Sequence, residues 1–537
     1  MEAAGALGRG SPLGHLEAIR AAVRARSRVF WIVAGVTALA AVLRFVTLGT
    51  QGYHHDEIVT ASRILRGDFI HAMEAVGFSE SAPPLYYALA WAWTQLAGTG
   101  EAGLRSFSAL AGVATVPVAY LLGAELSKPR SAVPYPGDTG ERNSAASWTG
   151  LVAAALVAVN PMLLWYSQEA RGYSLLVLFT AAAALYFVRA LPPAGDGTSA
   201  GRRGDLTLWG VFSALALATH YFAIFPIALE ALWLLWRRRR QALAGIWIVV
   251  LAGLALAPLA IHQMSLGHAE WIGDHSLGQR LWETGVAFAV GETGHIVARP
   301  EAVLPAVVPL LAALAGLALL AVRGEPRERR AGGLMLAVAA ATVVVPLALA
   351  LLLPGKDYVL ARNLIPALAP LLVAVAIGLT LRRARRGGAV LAAVLVVYSL
   401  GFSLWASFSP SLHRPDWEAV AERMGESETP RATVLWTLGA ASLRYYLSTG
   451  SFQVQPSDGY AWNVHEVNFV SDGPAPPVPA HLLGPRFRQV GYERIGRLHL
   501  RRYALPGPDL AHLRLRKLRR AELNFRSNGV LIDGIGP

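Results

Sequence analysis

The chain has 537 residues, 54% of them hydrophobic and 15% charged, with a mean hydropathy of +0.41, a formal net charge of +13 and no cysteine. Several apolar runs are long enough to cross a hydrocarbon layer of roughly 30 Å, which excludes a water-soluble globular protein, and the missing cysteines exclude a disulfide scaffold. The positive charge lies in short clusters between apolar runs, where the excess of Lys and Arg on cytoplasmic loops accounts for it without nucleic acid.

In chain order, residues 1–28 read as a basic cytoplasmic N-terminus. The apolar run from Val29 continues to Gly49 with no small-residue cleavage site ahead of polar sequence, so it is expected to be a retained first span. Further apolar runs lie near 104–126, 147–166, 174–190, 206–220, 221–236, 241–262, 302–322, 331–353, 361–381 and 389–408. Together they predict an all-α polytopic membrane module over 29–408 with about eleven transmembrane helices; the short pair over 206–236 is its least regular part. Basic clusters at Arg20 to Arg28, Lys128 to Arg130, Arg202 to Arg203, Arg237 to Arg240, Arg323 to Arg330 and Arg382 to Arg386 are assigned to the cytoplasmic side.

One more apolar stretch, "PPLYYALAWAWTQLAG" over 83–98, tests this topology. As a span it would move every basic cluster but the first to the outside. Parity therefore makes it an interfacial helix in the first outer loop, with Trp91, Trp93, Tyr86 and Tyr87 at headgroup depth; the alternative is a span with an unrecognised partner. Residues 409–537 read as a small extracytoplasmic α/β domain. Within it "HRPDWEAVAERM" has helical periodicity, "ATVLWTL" and "GRLHLRRYAL" read as strands, and "SDGPAPPVPAH" reads as a loop. The final basic stretch, "LRLRKLRRAELNFRSNG", is amphipathic and suits either anionic membrane lipid or a solvated helix face.

On the outer face this topology gathers Asp56 and Glu57, Glu80, Glu169 with Arg171, and Lys356, Asp357 and Arg362. Carboxylates near hydrocarbon tend towards a raised pKa, which suits a general base, while Arg and Lys at the same depth suit an anionic ligand such as a lipid phosphate. Such a mixture describes a transfer reaction at the outer membrane surface.

At these residues the sequence resembles a known family. "HHDEIVTASRILRGD", "SAPPLYYALAWAW", "LRSFSALAGVATVPVAYLLGAEL", "NPMLLWYSQEARGYSLLVLFTAAAALYF" and "DYVLARNLIPALAPLLVAVAIGL" resemble the family 39 glycosyltransferases and their bacterial relatives. These include the protein O-mannosyltransferases and the lipid A aminoarabinose transferases, within the C superfamily of polytopic enzymes that use polyprenyl-phosphate sugars. The resemblance runs from about Arg44 to Leu379, and "RPDWEAVAERM" with "LRYYL" extends it into the tail.

It implies a bacterial cell-membrane enzyme that moves a sugar from a polyprenyl-phosphate donor to an extracytoplasmic glycolipid, cell-wall glycan or protein, with inversion. It further implies Asp56 as the base on the acceptor, Glu57 as its paired neighbour and Glu169 as an acid near the reaction centre. Arg171, Arg362 and, less closely, Lys356 match the family's cations near the lipid phosphate. His54, His55, Tyr173 and His220 are candidates for substrate contact. Before Pro83 relatives carry His or Lys where this chain has Ala82, a departure that His54 or His55 could offset. No cofactor is called for beyond the lipid-linked donor.

Plainer readings stand beside these. Asp56 and Glu57 could cap the helix that follows, Glu169 and Arg171 could be a structural ion pair, and Arg362 could snorkel at the start of its span. His54, His55, Asp56 and Glu57 have zinc-ligand chemistry, but consecutive residues are expected to point in different directions, so no metal site is assigned. Two functions from other classes remain: a transporter or flippase of lipid-linked sugars, which calls for ionisable residues in mid-span, and a non-catalytic assembly protein acting through its tail.

Overall fold

The computed structural model describes residues 12–65, 67–128, 139–191, 203–268, 270–274, 276–292, 303–353, 355, 357–447, 451–454, 461–518, 520–523 and 528–534. Lys356, one of the expected phosphate-binding cations, lies outside the described residues, as do Arg130 and Arg202.

A chain can cross hydrocarbon only with its backbone polar groups bonded internally, and the long apolar runs are accordingly helical. Helix α1 (Pro12–Phe45) leads to α2 (His55–Val59), which continues as a π-helical turn over Thr60–Ile64, and then to α3 (Phe69–Ser79) and α4 (Leu85–Ala97). There follow α5 (Glu101–Ser127), α6 (Thr139–Val159), α7 (Pro161–Ser167), α8 (Tyr173–Ala190), α9 (Arg203–Thr219), α10 (Ile224–Arg238), α11 (Leu243–Ser265) and α12 (Leu277–Val290). The helical module closes with α13 (Val303–Arg323), α14 (Pro326–Leu352), α15 (Leu368–Leu379) and α16 (Arg385–Phe408).

Among the described residues eight segments are long and apolar enough to cross a membrane, or nine when the bent pair α6 and α7 counts as one. The expected eleven also count α9, whose 17 residues extend about 25 Å at 1.5 Å per residue, and take the 45-residue apolar segment Tyr221–Ser265 as two crossings. Its division into α10 and α11 has that form: Tyr221 at one end donates to Gln263 at the other at 2.9 Å, so the chain turns back on itself at Arg239–Ala242. Helix α4 has 13 residues, about 20 Å, and is shorter than the hydrocarbon layer.

Two ends of the helical module differ in chemistry. At one, the basic clusters converge: Arg189 lies 3.7 Å from Glu125, which Lys128 also meets at 2.6 Å, Arg238 donates to the Ala190 carbonyl, and Arg383 lies 3.7 Å from Glu325. The other end gathers Asp56, Glu57, Glu80, Glu169, Arg171, Asp357 and Arg362, and a break in one helix shapes it. Asn160 caps α7 by accepting from the Leu163 N–H at 3.0 Å, and Pro161 occupies the first helical position, so α7 leaves α6 at 57°.

Pro161 has no N–H to give the Val157 carbonyl. Buried Arg44, from the end of α1, takes up this opening: it donates to Ala158 O at 2.9 Å, to Val157 O at 3.4 Å and to Ser167 Oγ at 3.1 Å. Gly112 on α5 leaves room for that contact, since a Cβ there would sit 2.1 Å from Ser167 Oγ and 2.9 Å from Arg44 Nε.

The tail begins with α17 (Trp417–Met424), β1 (Arg431–Trp436), α18 (Gly439–Tyr446), β2 (Phe452–Val454), β3 (Ala461–Val464) and β4 (Glu466–Asp472). It continues with α19 (Ala480–Leu483), β5 (Arg488–Ile495), β6 (Leu498–Ala504), β7 (Ala511–Arg514), α20 (Leu515–Leu518) and β8 (Asn528–Asp533). Six strands form a mixed sheet in the order β2-β8-β1-β4-β6-β5, parallel only between β1 and β4, and β3 pairs with β7.

Alternation along the strands gives the sheet two apolar faces. One buries Ala432, Val434, Phe469 and Ile532; the other packs Leu435, Val470 and Leu531 on Trp417, Val420 and Leu443. In the basic final stretch, Leu513, Leu518, Ala521 and Leu523 belong to the first of these cores. That apolar face is consumed inside the tail and is not available to rest on lipid.

Candidate active site

Helix α2 starts at His55 with His54 at its N-cap, and Glu57, at the third helical position, reaches back to accept from the His54 N–H at 2.9 Å. Glu57 is fully buried and its oxygens are all engaged: Arg105 donates at 2.8 and 2.7 Å, the Ala170 N–H at 2.8 Å, and Arg414 reaches it at 3.3 Å. Burial alone would raise this carboxyl, but Arg105 and Arg414 overcome it and bring it down to about 2. Glu57 is therefore a fixed anion that positions its surroundings.

Asp56, on the opposite side of the same turn, is half-buried with its carboxylate partly open. Arg362 donates to Asp56 Oδ2 at 2.9 Å, and His55 Nε2 lies 3.3 Å from Oδ1. Arg362 comes from a 3₁₀ turn, Ala361–Ala367, and stands 5.7 Å from the Trp271 ring centre. Burial works against ionising Asp56, yet His55, Arg362 and Arg171 together hold it well below the usual carboxylate range. The expectation of a carboxyl raised by hydrocarbon thus fails at Asp56, because a cation sits on it.

Of the carboxylates singled out from the sequence, Glu169 is raised. It is buried in the turn between α7 and α8, where burial, offset by Arg414 and reinforced by Glu57, Asp56 and Glu292, pushes it up to about 7. Glu169 and Arg171 do not form the ion pair that their spacing suggested. Glu169 pairs with Arg414 at 2.8 Å, and Arg171 pairs with Glu80 at 2.7 Å. Arg171 also stands 5.9 Å from the Tyr87 ring centre.

Beside these lie Tyr173 and His220, with ring centres 5.7 Å apart. Burial, with Arg171 and Arg362 nearby, pushes His220 down to about 3, so it is a neutral ring. Phe222 and Tyr358 extend the aromatic group, 5.7 Å apart. Arg280 on α12 grips Asp357 at 2.7 Å and the Val359 carbonyl at 2.7 Å, which anchors the segment leading to Arg362.

His54, His55 and Asp56 each offer a ligand atom within 4.8 Å of the others, and the Nδ1 atoms of both histidines are buried without a partner. The expectation that consecutive residues would diverge does not hold, because the extended His54 at the start of α2 brings the two rings to 3.8 Å. The three fit a divalent cation in donor chemistry.

Sequence reading missed Arg105, Arg414 and Glu292. Arg105 is the second residue of the quoted motif "LRSFSALAGVATVPVAYLLGAEL", but the motif attaches no role to it. Arg414 lies 245 residues from its partner Glu169. Glu292 lies two residues beyond the end of α12 and is half-buried; burial raises its carboxyl, and Arg362 partly offsets the rise. An arginine standing immediately after the last span was the available signal for Arg414.

No family model matches the sequence, and no curated protein matches it. Among solved structures the chain is similar to an oligosaccharyltransferase from Archaeoglobus fulgidus tethered to an acceptor peptide, at 14% identity and a TM-score of 0.47, over 74% of this chain and 57% of that one. It is also similar to ArnT from Cupriavidus metallidurans bound to undecaprenyl phosphate, at 16% identity and a TM-score of 0.34, over 88% and 97%. A third is the S. cerevisiae protein O-mannosyltransferase Pmt1-Pmt2 complex bound to its sugar donor, at 20% identity and a TM-score of 0.30, over 44% and 32%. The chain spans little more than half the length of the archaeal enzyme.

Proposed function

We infer that the protein is a multi-pass membrane glycosyltransferase that moves a sugar from a polyprenyl-phosphate carrier to an acceptor at the extracytoplasmic face of a bacterial cell membrane. The observation that carries this reading is the meeting of Asp56 and Arg362, 306 residues apart in sequence, as a partly open acid–cation pair at the end of the module opposite the basic clusters.

An acceptor hydroxyl or amine attacks the anomeric carbon from the side opposite the phosphate and gives its proton to Asp56 as the new bond forms. The bond from that carbon to the phosphate oxygen breaks, and the configuration inverts. The phosphate leaves as an anion and needs no proton, unlike the leaving group in glycoside hydrolysis. Arg362, with Arg171 and Lys356, holds it. Arg362 pairs with Asp56 at 2.9 Å; a donor phosphate would compete for Arg362, and Asp56 would then become a better base. Tyr173 and His220, with the neighbouring aromatic rings, form the wall for the sugar.

The arginines supply the positive charge, so the reaction calls for no metal. A divalent ion held by His54, His55 and Asp56 would add positive charge beside the leaving phosphate. Turnover is expected to persist after exhaustive chelation; loss that added divalent ion restores would assign that triad as its site.

Purified protein in liposomes, offered a panel of synthetic polyprenyl-phosphate sugars and candidate acceptors, tests the class. Release of polyprenyl phosphate from one donor is expected. Unchanged movement of every donor across the bilayer without release would favour the transporter instead.

A further inference from the structure

The tail has its own cores, yet it reaches the site at three points. Tyr446 accepts from the Tyr53 N–H at 2.6 Å and donates to Glu101 at 2.8 Å, the Trp436 ring stands edge-on to His55 at 5.2 Å, and Arg414 enters the acidic cluster. Arg414 is the most deeply engaged. Its side chain is 5% exposed and lies over the Trp165 ring at 4.6 Å. One guanidinium nitrogen serves Glu57 at 3.3 Å and the Gln168 carbonyl at 3.0 Å, and the other serves Glu169 at 2.8 Å. Its backbone N–H is held by Gln51 at 3.0 Å.

A single guanidinium therefore joins α2 to the turn between α7 and α8. Planar forked donors suit bridging two carboxylates in a way that an ammonium cannot match.

We propose that Arg414, supplied by the tail, is a positioning residue of the active site: it clamps Glu57 to Glu169 and sets the charge that Glu169 presents beside Asp56. Resting on the glycosyltransferase reading of the same site, this makes the tail a part of the catalytic centre. The groups facing Glu169 are Arg414, Glu57, Asp56 and Glu292, with Tyr86, Tyr166 and Tyr173. Arg414 alone among these is a cation, and the three carboxylates all oppose ionisation of Glu169. Without Arg414, Glu169 stays protonated to higher pH.

The test is an infrared titration of the carboxyl stretch in the full-length protein, with Glu169→Gln subtracted to isolate the Glu169 band. This reads the group without turnover, so failure of every sugar donor would sink the proposed reaction and leave this measurement intact. The wild-type band should titrate near pH 7. In Arg414→Gln the midpoint should rise by about one pH unit or more, and in Arg414→Lys, which keeps the charge, by less. If Arg414→Gln does not fold, Arg414→Lys carries the test: it keeps the cation but loses the fork that serves both carboxylates, so the midpoint should still rise. A midpoint unmoved in folded Arg414→Gln, or unmoved in Arg414→Lys where only that variant folds, overturns the proposal.

Discussion

Asp56 must be both ionised and available, and the pair with Arg362 answers the first requirement at the expense of the second. Because the folded-state carboxyl lies below its unfolded value, the pairing adds stability that is present above about pH 4 and lost as the pH falls through the folded value. Asp56 is therefore ionised across the neutral range, and a rate profile with a limb near pH 7 would report Glu169 instead. Arg362→Gln should have two effects: donor binding weakened about tenfold or more through loss of a charge-assisted contact, and an Asp56 carboxyl raised as burial becomes the dominant influence. Donor-binding isotherms on the two proteins check the first, and equal affinity would remove Arg362 from the phosphate site.

At the scale of elements, the bend between α6 and α7 decides where Glu169 and Arg171 emerge. Gly112 allows α5 to approach that bend, and a methyl there collides with Ser167 Oγ, which already serves Arg44 and the Leu163 carbonyl. Gly112→Ala should cost about 1–3 kcal/mol by overpacking, read as a lowered melting temperature; an unchanged melt would mean that the helices separate freely there. The long helices were legible because each is an apolar run bounded by charge. The bend was only half legible: Asn160 followed by Pro161 is a cap signal, but the apolar run passes straight through it. Which charges pair was not legible, since Glu80 finds Arg171 across 91 residues and Glu57 finds Arg105 across 48, distances over which composition and periodicity carry no register. The motifs, by contrast, placed Asp56 and Arg362 together on one face before any contact was known.

For the molecule as a whole, the helical module supplies the carboxylates and most of the cations, and the tail closes over them through Arg414, Tyr446 and Trp436. A reading of 409–537 as a separate domain captured its strands β1 and β6 and helix α17, but gave Arg414, at the head of "RPDWEAVAERM", no part in the site. Breaking a buried pair by removing one partner costs about 3–5 kcal/mol, so the contacts of Arg414 with Glu57 and Glu169 also tie the two parts together. The central claim is that this assembly exists to place Asp56 beside a lipid-phosphate sugar. Its most direct test is the single-turnover rate of the consumed donor with wild-type protein and with Asp56→Asn, with donor binding measured on both. The account predicts a loss of at least about 10²-fold in rate with donor binding retained. A rate within a few-fold of wild type would contradict it.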